Sequence, residues 1–307
     1  MKSIAYSSAF VPAEWIAAHG LRPHWLRLRT TAGRPLPTVT RGICPYVGAL
    51  IDAAIAGLDA SALVLTTVCD QMRYAAALLE THGNCPVFLL NVPSTWQTDT
   101  VRGLYLNELR RLGRFLVGLS GKMPDSGELG RVMLAYEQAR RVPSAYPENV
   151  TADGLAGEGI GVPVAVLGGP LLETDWKFFD IVKEAGGRVV LDATESSERT
   201  MPRPFDVDRV ESNPLAELAD AYFDAIPDAF RRPNNRLYEW LGRELAVRNV
   251  RAIILRRYLW CDLWHAELHR LRQWNRLPVL EIDVGPDETS EPNRIQGRIE
   301  AFLEMLR

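Results

Sequence analysis

The sequence predicts an α/β protein built from two domains with mostly parallel sheets, in the Rossmann/flavodoxin-like manner. Two observations predict it. Short apolar runs alternate with amphipathic helical ones, as they do in parallel α/β sheets. The alternation also breaks at a Pro/Gly-rich stretch, VPSAYPENVTADGLAGEGIGVP, and then begins again. In the first half, ALVLTTV and VFLLNV read as buried strands. Between them DQMRYAAALLETHG reads as a helix opened by Asp70 and stopped by Gly83. PYVGALIDAAIAG is a second helix, with Pro45 in its first turn and Gly57 as its stop. From about Thr100 to Arg141 the apolar spacing is helical.

Beyond the Pro/Gly-rich stretch, VAVLGGP reads as a strand and turn, WKFFDIVKEAGG as a helix and RVVLDA as a strand. NPLAELADAYFDAI and RLYEWLGRELAVRN read as helices, and AIIL and PVLEID as strands. NRIQGRIEAFLEMLR closes the chain as a helix with apolar positions at Ile295, Ile299, Phe302, Leu303 and Leu306. The expected domains are residues 1–150, an α/β unit with a helical extension, and residues 151–307.

With 307 residues, 47% of them hydrophobic, the chain is long enough for one large domain or two smaller ones that share a core. The net charge of −3 is spread along the sequence, with no basic stripe for nucleic acid and no apolar run of membrane-spanning length. The opening MKSIAYSSAFVPAEW has no long apolar core and carries an early acid, so no signal peptide is expected and the cytoplasm is the expected location.

Four cysteines in such a chain do not make a disulfide framework. Three of them, Cys44, Cys69 and Cys261, stand where an apolar run ends and a helix begins. Ligands of open α/β sheets bind at the carboxyl ends of strands, and helix N-termini there favour an anionic thiolate. A structural zinc site usually closes with four ligands in tight CxxC spacing, and this chain has no CxxC. An iron–sulfur cubane takes thiolates by preference, and three of them leave one iron open. The bland alternative is three buried cysteines packing as small apolar groups.

Cys85 lacks a following acid and reads as structural. Asp70 and Asp262 each follow one of the three cysteines, as helix caps or as neighbours of a cluster. His265 and His269 share a helix face, but Glu267 between them points away, so they are not the metalloprotease motif. TESSERT follows RVVLDA at the ligand side of the sheet, and Glu195, Ser196 and Arg199 are its candidate catalytic residues. LGGP is a turn whose amides could meet a phosphate. GLAGEGIG precedes a strand, and so is not a dinucleotide fingerprint, while GLSGKM lacks the spacing of a P-loop.

Taken together, GICPYV, TTVCDQMR, WCDLWHAE and the ending LPVLEIDVG…NRIQGRIEAFLEML resemble the cluster segments and close of the 2-hydroxyacyl-CoA dehydratase family. That family includes benzoyl-CoA reductase subunits and the 2-hydroxyglutaryl-CoA dehydratase D-component. The opening AYSSAFVPAEWIAAHGLRPHWL is similar to its start, and TESSERTMP to its substrate-side loop ending in arginine. The resemblance implies a [4Fe–4S] cluster on Cys44, Cys69 and Cys261, in the cleft between two α/β domains. It implies radical elimination of water from a 2-hydroxyacyl-CoA, a second related subunit or a second copy of the chain, and an ATP-dependent iron–sulfur activator as electron donor. A reductase acting on another small molecule, and a subunit that only relays electrons, are the alternatives. The chain departs from the family in being short and in having three motif cysteines, which argues against a double cubane.

Overall fold

In the computed structural model, residues 1–29, 42–141, 160–285 and 292–306 are described. The first half contains β1 (Ser3–Tyr6), α1 (Ala13–Ala18), β2 (Arg22–Trp25), α2 (Pro45–Ala56), β3 (Ala62–Thr66), α3 (Asp70–His82), β4 (Val87–Leu90), α4 (Asp99–Ser120) and α5 (Ser126–Arg141). The second contains β5 (Val162–Leu167), α6 (Lys177–Glu184), β6 (Gly187–Ala193), α7 (Val207–Ser212), α8 (Pro214–Phe223), α9 (Asn235–Val247), β7 (Ala252–Tyr258), α10 (Asp262–Trp274), β8 (Val279–Val284) and α11 (Pro292–Glu304).

Each half forms one four-stranded, wholly parallel sheet, and the two orders correspond: β2-β1-β3-β4 and β6-β5-β7-β8. The central strands are apolar on both faces because helices cover both; β3 is buried along its whole length. The outer strand β2, Arg-Pro-His-Trp, is more open, and its proline is tolerated because it has a neighbour on one side only. Neither β1 (Ser-Ile-Ala-Tyr) nor β2 (Arg-Pro-His-Trp) stands out in the sequence, since neither carries the unbroken apolar run that marks β4.

The second half is not self-contained. Phe205, Val210, Leu218, Tyr222, Phe223 and Phe230 pack into the apolar core that β1, β3, α4 and α5 build in the first half. The boundary expected between residues 150 and 151 lies outside the described residues. What they do show is this segment crossing back, together with a core that joins residues of both sheets.

Helices start and stop for local reasons. Pro45 sits at the first position of α2, where no amide is needed. The helical stretch expected from Thr100 to Arg141 is two helices, broken where Gly121 turns left-handed with φ +75° and its N–H closes onto Val117 O. AIIL is the start of a longer strand, running to Tyr258 and carrying two buried arginines. No helix among the described residues is long and apolar enough to cross a membrane.

Candidate functional site

In both sheets the strand order reverses between the two central strands, and the loops beyond their carboxyl ends border a crevice. Cys69 follows β3 and Cys261 follows β7, so each leaves the same position of its own sheet. Cys44 closes the connection from β2 to α2. All three cysteines occupy N-cap positions, of α2, α3 and α10. Asp70 and Asp262, expected as possible caps, are instead the first residues inside their helices, because the cysteines have taken the caps.

The site is knitted by Gln71, in the first turn of α3. Its Oε1 accepts from the Cys44 amide at 2.6 Å, and its Nε2 donates to Trp260 O at 2.7 Å. Trp260 holds φ at +72°, a region a bulky residue rarely adopts, immediately before Cys261. Cys69 Sγ accepts from Met72 N at 3.4 Å. Backbone N–H groups of Tyr46 and Val47 approach the Cys44 sulfur, and that of Trp264 approaches Cys261.

The expectation that helix N-termini keep these sulfurs anionic is corrected. Burial pushes the thiols of Cys44 and Cys69 up to about 11 and that of Cys261 to about 12, outweighing the amide contacts that favour the thiolate. Charge on the neighbouring thiols adds to the rise: that of Cys44 acts on both others, and that of Cys69 on Cys261. Among the described residues, no three His, Cys, Asp or Glu side chains close on a point as ligands of one ion do. Cluster ligands each bind a different iron and stand further apart, so three thiols amid amide donors remain a donor set suited to a cubane.

A cavity of about 210 Å³ opens between the halves, bordered by Tyr6, Trp25, Tyr222, Met201, Glu195 and Ser196. Glu195 joins it to the thiols, since a charge there acts on all three cysteines. Its side chain is 25% exposed, yet its carboxyl is pushed up to about 8, first by burial and then by the negative charge of Asp228. Arg199 works against the rise from 4.0 Å. The Trp264 indole N–H also favours the charged form of Glu195 without reaching hydrogen-bond geometry, and is otherwise unpartnered. The Ser196 hydroxyl borders the cavity and accepts from Leu171 N at 3.4 Å.

Arg199 does not border the cavity. It is buried, giving Nε to Ala193 O (2.9 Å), Nη1 to Pro227 O (2.7 Å) and Asp228 Oδ2 (3.1 Å), and Nη2 to Gly168 O (3.3 Å). It therefore buttresses Glu195 from behind. A second buried network lies on the thiol side of β7. Arg256 pairs with Asp175 at 2.5 Å, and Asp175 also accepts from Tyr258 OH. The positive charge of Arg256 favours the Cys44 thiolate.

The remaining sequence candidates fall elsewhere. The LGGP turn is shaped by packing, because a side chain on Gly168 would begin 2.0 Å from Arg256 O. His265 and His269 are exposed on α10, whereas Glu267 is buried and accepts from Asn234 Nδ2 and Tyr238 OH, both at 2.6 Å. Cys85 lies apart, half-buried in the apolar core. GLAGEGIG falls largely outside the described residues. Gln71, Arg256, Asp175 and Asp228 were not foreseen, because a polar residue's remote partners leave no local pattern.

Among known proteins, the family described as "2-hydroxyglutaryl-CoA dehydratase, D-component" matches residues 8–146 and 151–306. A search of the curated proteins finds no match. A solved structure of the SBP FpvC from Pseudomonas aeruginosa in complex with Mn2+ aligns over 100% of this chain and 99% of that one, at 10% identity and a TM-score of 0.29. A likeness of that size carries no argument.

Proposed function

Since the chain belongs to the 2-hydroxyglutaryl-CoA dehydratase D-component family, we propose that it is a cluster-bearing subunit of an enzyme that removes water from a 2-hydroxyacyl-CoA thioester. One observation carries the reading: three thiol-bearing helix N-termini converge beside a cavity bordered by Glu195, whose carboxyl burial pushes up.

Cys44, Cys69 and Cys261 would hold a [4Fe–4S] cluster. When bound, such a cluster supplies low-potential one-electron chemistry next to an open iron site. The remaining work belongs to side chains. The cavity takes the acyl end of the substrate and leaves the bulkier carrier arm outside, past Trp25, Arg27 and Trp176 at its border. Glu195, neutral below about pH 8, donates a proton to the departing hydroxyl, which leaves as water. Its carboxylate then takes the β-proton that the acyl group sheds, and the activating electron is returned, so the acid is restored and the dehydration is redox-neutral overall. Ser196 orients that hydroxyl. Arg199, held by Asp228, keeps the Glu195 carboxyl in place and steadies it once it has lost the proton. The electron reaches this subunit from an ATP-dependent iron–sulfur activator, and a related subunit or a second copy completes the enzyme. A cavity edged by a protonated acid favours catalysis over electron relay alone.

The test is iron and acid-labile sulfide per chain after anaerobic purification, with Cys69→Ala alongside. About four of each in the parent and a sharp loss in the variant support the reading. Iron that is absent, or unaffected by the substitution, rejects it.

A further inference from the structure

Three segments bring the thiols together, and one side chain touches two of them while standing on the third. Gln71 lies two residues beyond Cys69 in α3. Its carbonyl oxygen holds the amide of Cys44 itself, 27 positions away in sequence. Its amide nitrogen holds the carbonyl of Trp260, 189 positions away in the other half, directly before Cys261. We propose that Gln71 is a positioning residue: a clasp that sets the spacing of Cys44, Cys69 and Cys261 across the two halves and so governs whether the site holds a cluster firmly.

The chemistry selects glutamine. The task needs one acceptor and one donor on a single head, with enough stem to reach across a cleft. Glutamate keeps the acceptor for Cys44 N–H but turns a carboxylate oxygen toward the Trp260 carbonyl, where no proton is left to share. Trp260 supplies the independent observation. It is 53% exposed, so burial does not impose its left-handed backbone, and the carbonyl it presents meets Gln71. The halves are also joined by bonds that involve none of the thiol segments, by Arg29 with Glu173, by Trp96 Nε1 to Pro233 O (2.7 Å) and by Arg232 N to Ser94 O (2.9 Å). Loss of the clasp therefore leaves the halves packed and loosens only the thiol segments.

The inference rests on the cluster reading for its consequence, but its geometry stands alone, so the test has two arms. In the metal-free full chain, amide hydrogen exchange is compared among wild type, Gln71→Ala, Gln71→Glu and Trp96→Phe. Gln71→Ala should raise exchange roughly tenfold in peptides spanning residues 42–48 and 258–264. Gln71→Glu should spare the first peptide and loosen the second, and Trp96→Phe, which removes a seam bond elsewhere, should spare both. Should Gln71→Ala fail to fold, Gln71→Glu decides alone through the second peptide. In the second arm, chains reconstituted anaerobically with iron and sulfide are exposed to an iron chelator. The Gln71 variants should release iron several-fold faster, with an altered EPR signal in the reduced state and an unchanged melting temperature.

Wild-type exchange in both peptides of Gln71→Ala overturns the clasp whether or not the chain holds a cluster. Faster exchange with unchanged iron retention overturns its positioning role. A wild-type chain that takes up no iron and sulfide rejects the function proposed above, and the positioning role with it, while the exchange arm still decides the clasp geometry.

Discussion

β3 ends at Thr66 and β7 at Tyr258, and in each sheet the third residue beyond is a cysteine that caps the next helix and is followed by an aspartate. The connections that follow the outer strands differ. The one after β2 brings Cys44, and the one after β6 brings Glu195. The strands differ in the same sense: β3 is Ala-Leu-Val-Leu-Thr, while β7 ends Arg-Arg-Tyr with both arginines buried. One sheet order thus serves two tasks. The first half gives two sulfurs in an apolar frame; the second gives one sulfur and the ionisable groups Asp175, Glu195, Arg199, Asp228 and Arg256 around them.

The largest effect expected from this correspondence is that Cys261→Ala and Cys69→Ala are equally damaging to metal binding. Each should lower iron and sulfide to near background after anaerobic reconstitution, while Cys85→Ala leaves both intact. A Cys261 variant that still retained its iron would mean that the second half contributes charge but no ligand.

Next is the division of labour between sulfur and acid. Glu195→Gln keeps the shape and the hydrogen-bonding head but has no proton to give. Turnover of a 2-hydroxyacyl-CoA, measured with an activator, should fall about 10²–10⁴-fold. Iron content and the cluster's visible spectrum should not change. If iron fell along with turnover, Glu195 would belong to the metal seat, and the two outer loops would be more alike than the proposal has them.

The thiol segments and the alternation of strands and helices were legible in the sequence because both are local: a cysteine ahead of a helix start, an apolar run of fixed length. The position of the loop that carries Glu195 and Ser196 was legible for the same reason, since a polar loop after a strand in an α/β sheet faces the ligand side. The burial of Arg199 was not legible; its four protein acceptors come from Gly168, Ala193, Pro227 and Asp228, which no spacing announces. The return of Phe205–Phe230 into the first core was equally hidden, because an amphipathic helix shows that it has an apolar face and not which half it covers. The thiol charge state was misjudged because helix-end stabilisation can be read from sequence and depth cannot.

A smaller effect tests the buried charge of the second half. Asp175→Asn leaves Arg256 without its partner beside β7 and alters the acceptor for Tyr258 OH. Breaking a buried pair in this way costs about 3–5 kcal/mol, which chemical denaturation of the metal-free chain would register. The exposed Arg73–Asp70 pair of the first half, at 3.6 Å, should yield under about 0.5 kcal/mol when Asp70→Asn removes it. Equal costs at the two places would remove the contrast between an apolar and a charged half.

The smallest effect is a slope. Glu195 binds its proton more tightly in the folded chain than in the unfolded one, with a folded value of about 8 against an ordinary 4.5. Its contribution to stability is therefore complete below about pH 4.5 and is lost as pH rises toward and through about 8. An undamped shift of that size would be worth about 5 kcal/mol. Water reaching a quarter of the side chain screens both the burial and the Asp228 charge that raise it, and reduces the expected loss to about 1–2 kcal/mol. The thiols do not confuse the reading, because their values of about 11 to 12 place their own losses above pH 9. Denaturation midpoints of the metal-free chain between about pH 5 and 8.5 should fall for wild type relative to Glu195→Gln, the two sharing the opposing slope of His19, whose imidazole burial pushes below its ordinary value. Parallel curves would mean that Glu195 is already ionised in the fold at neutral pH, and the proton for the departing hydroxyl would then have to come from another group.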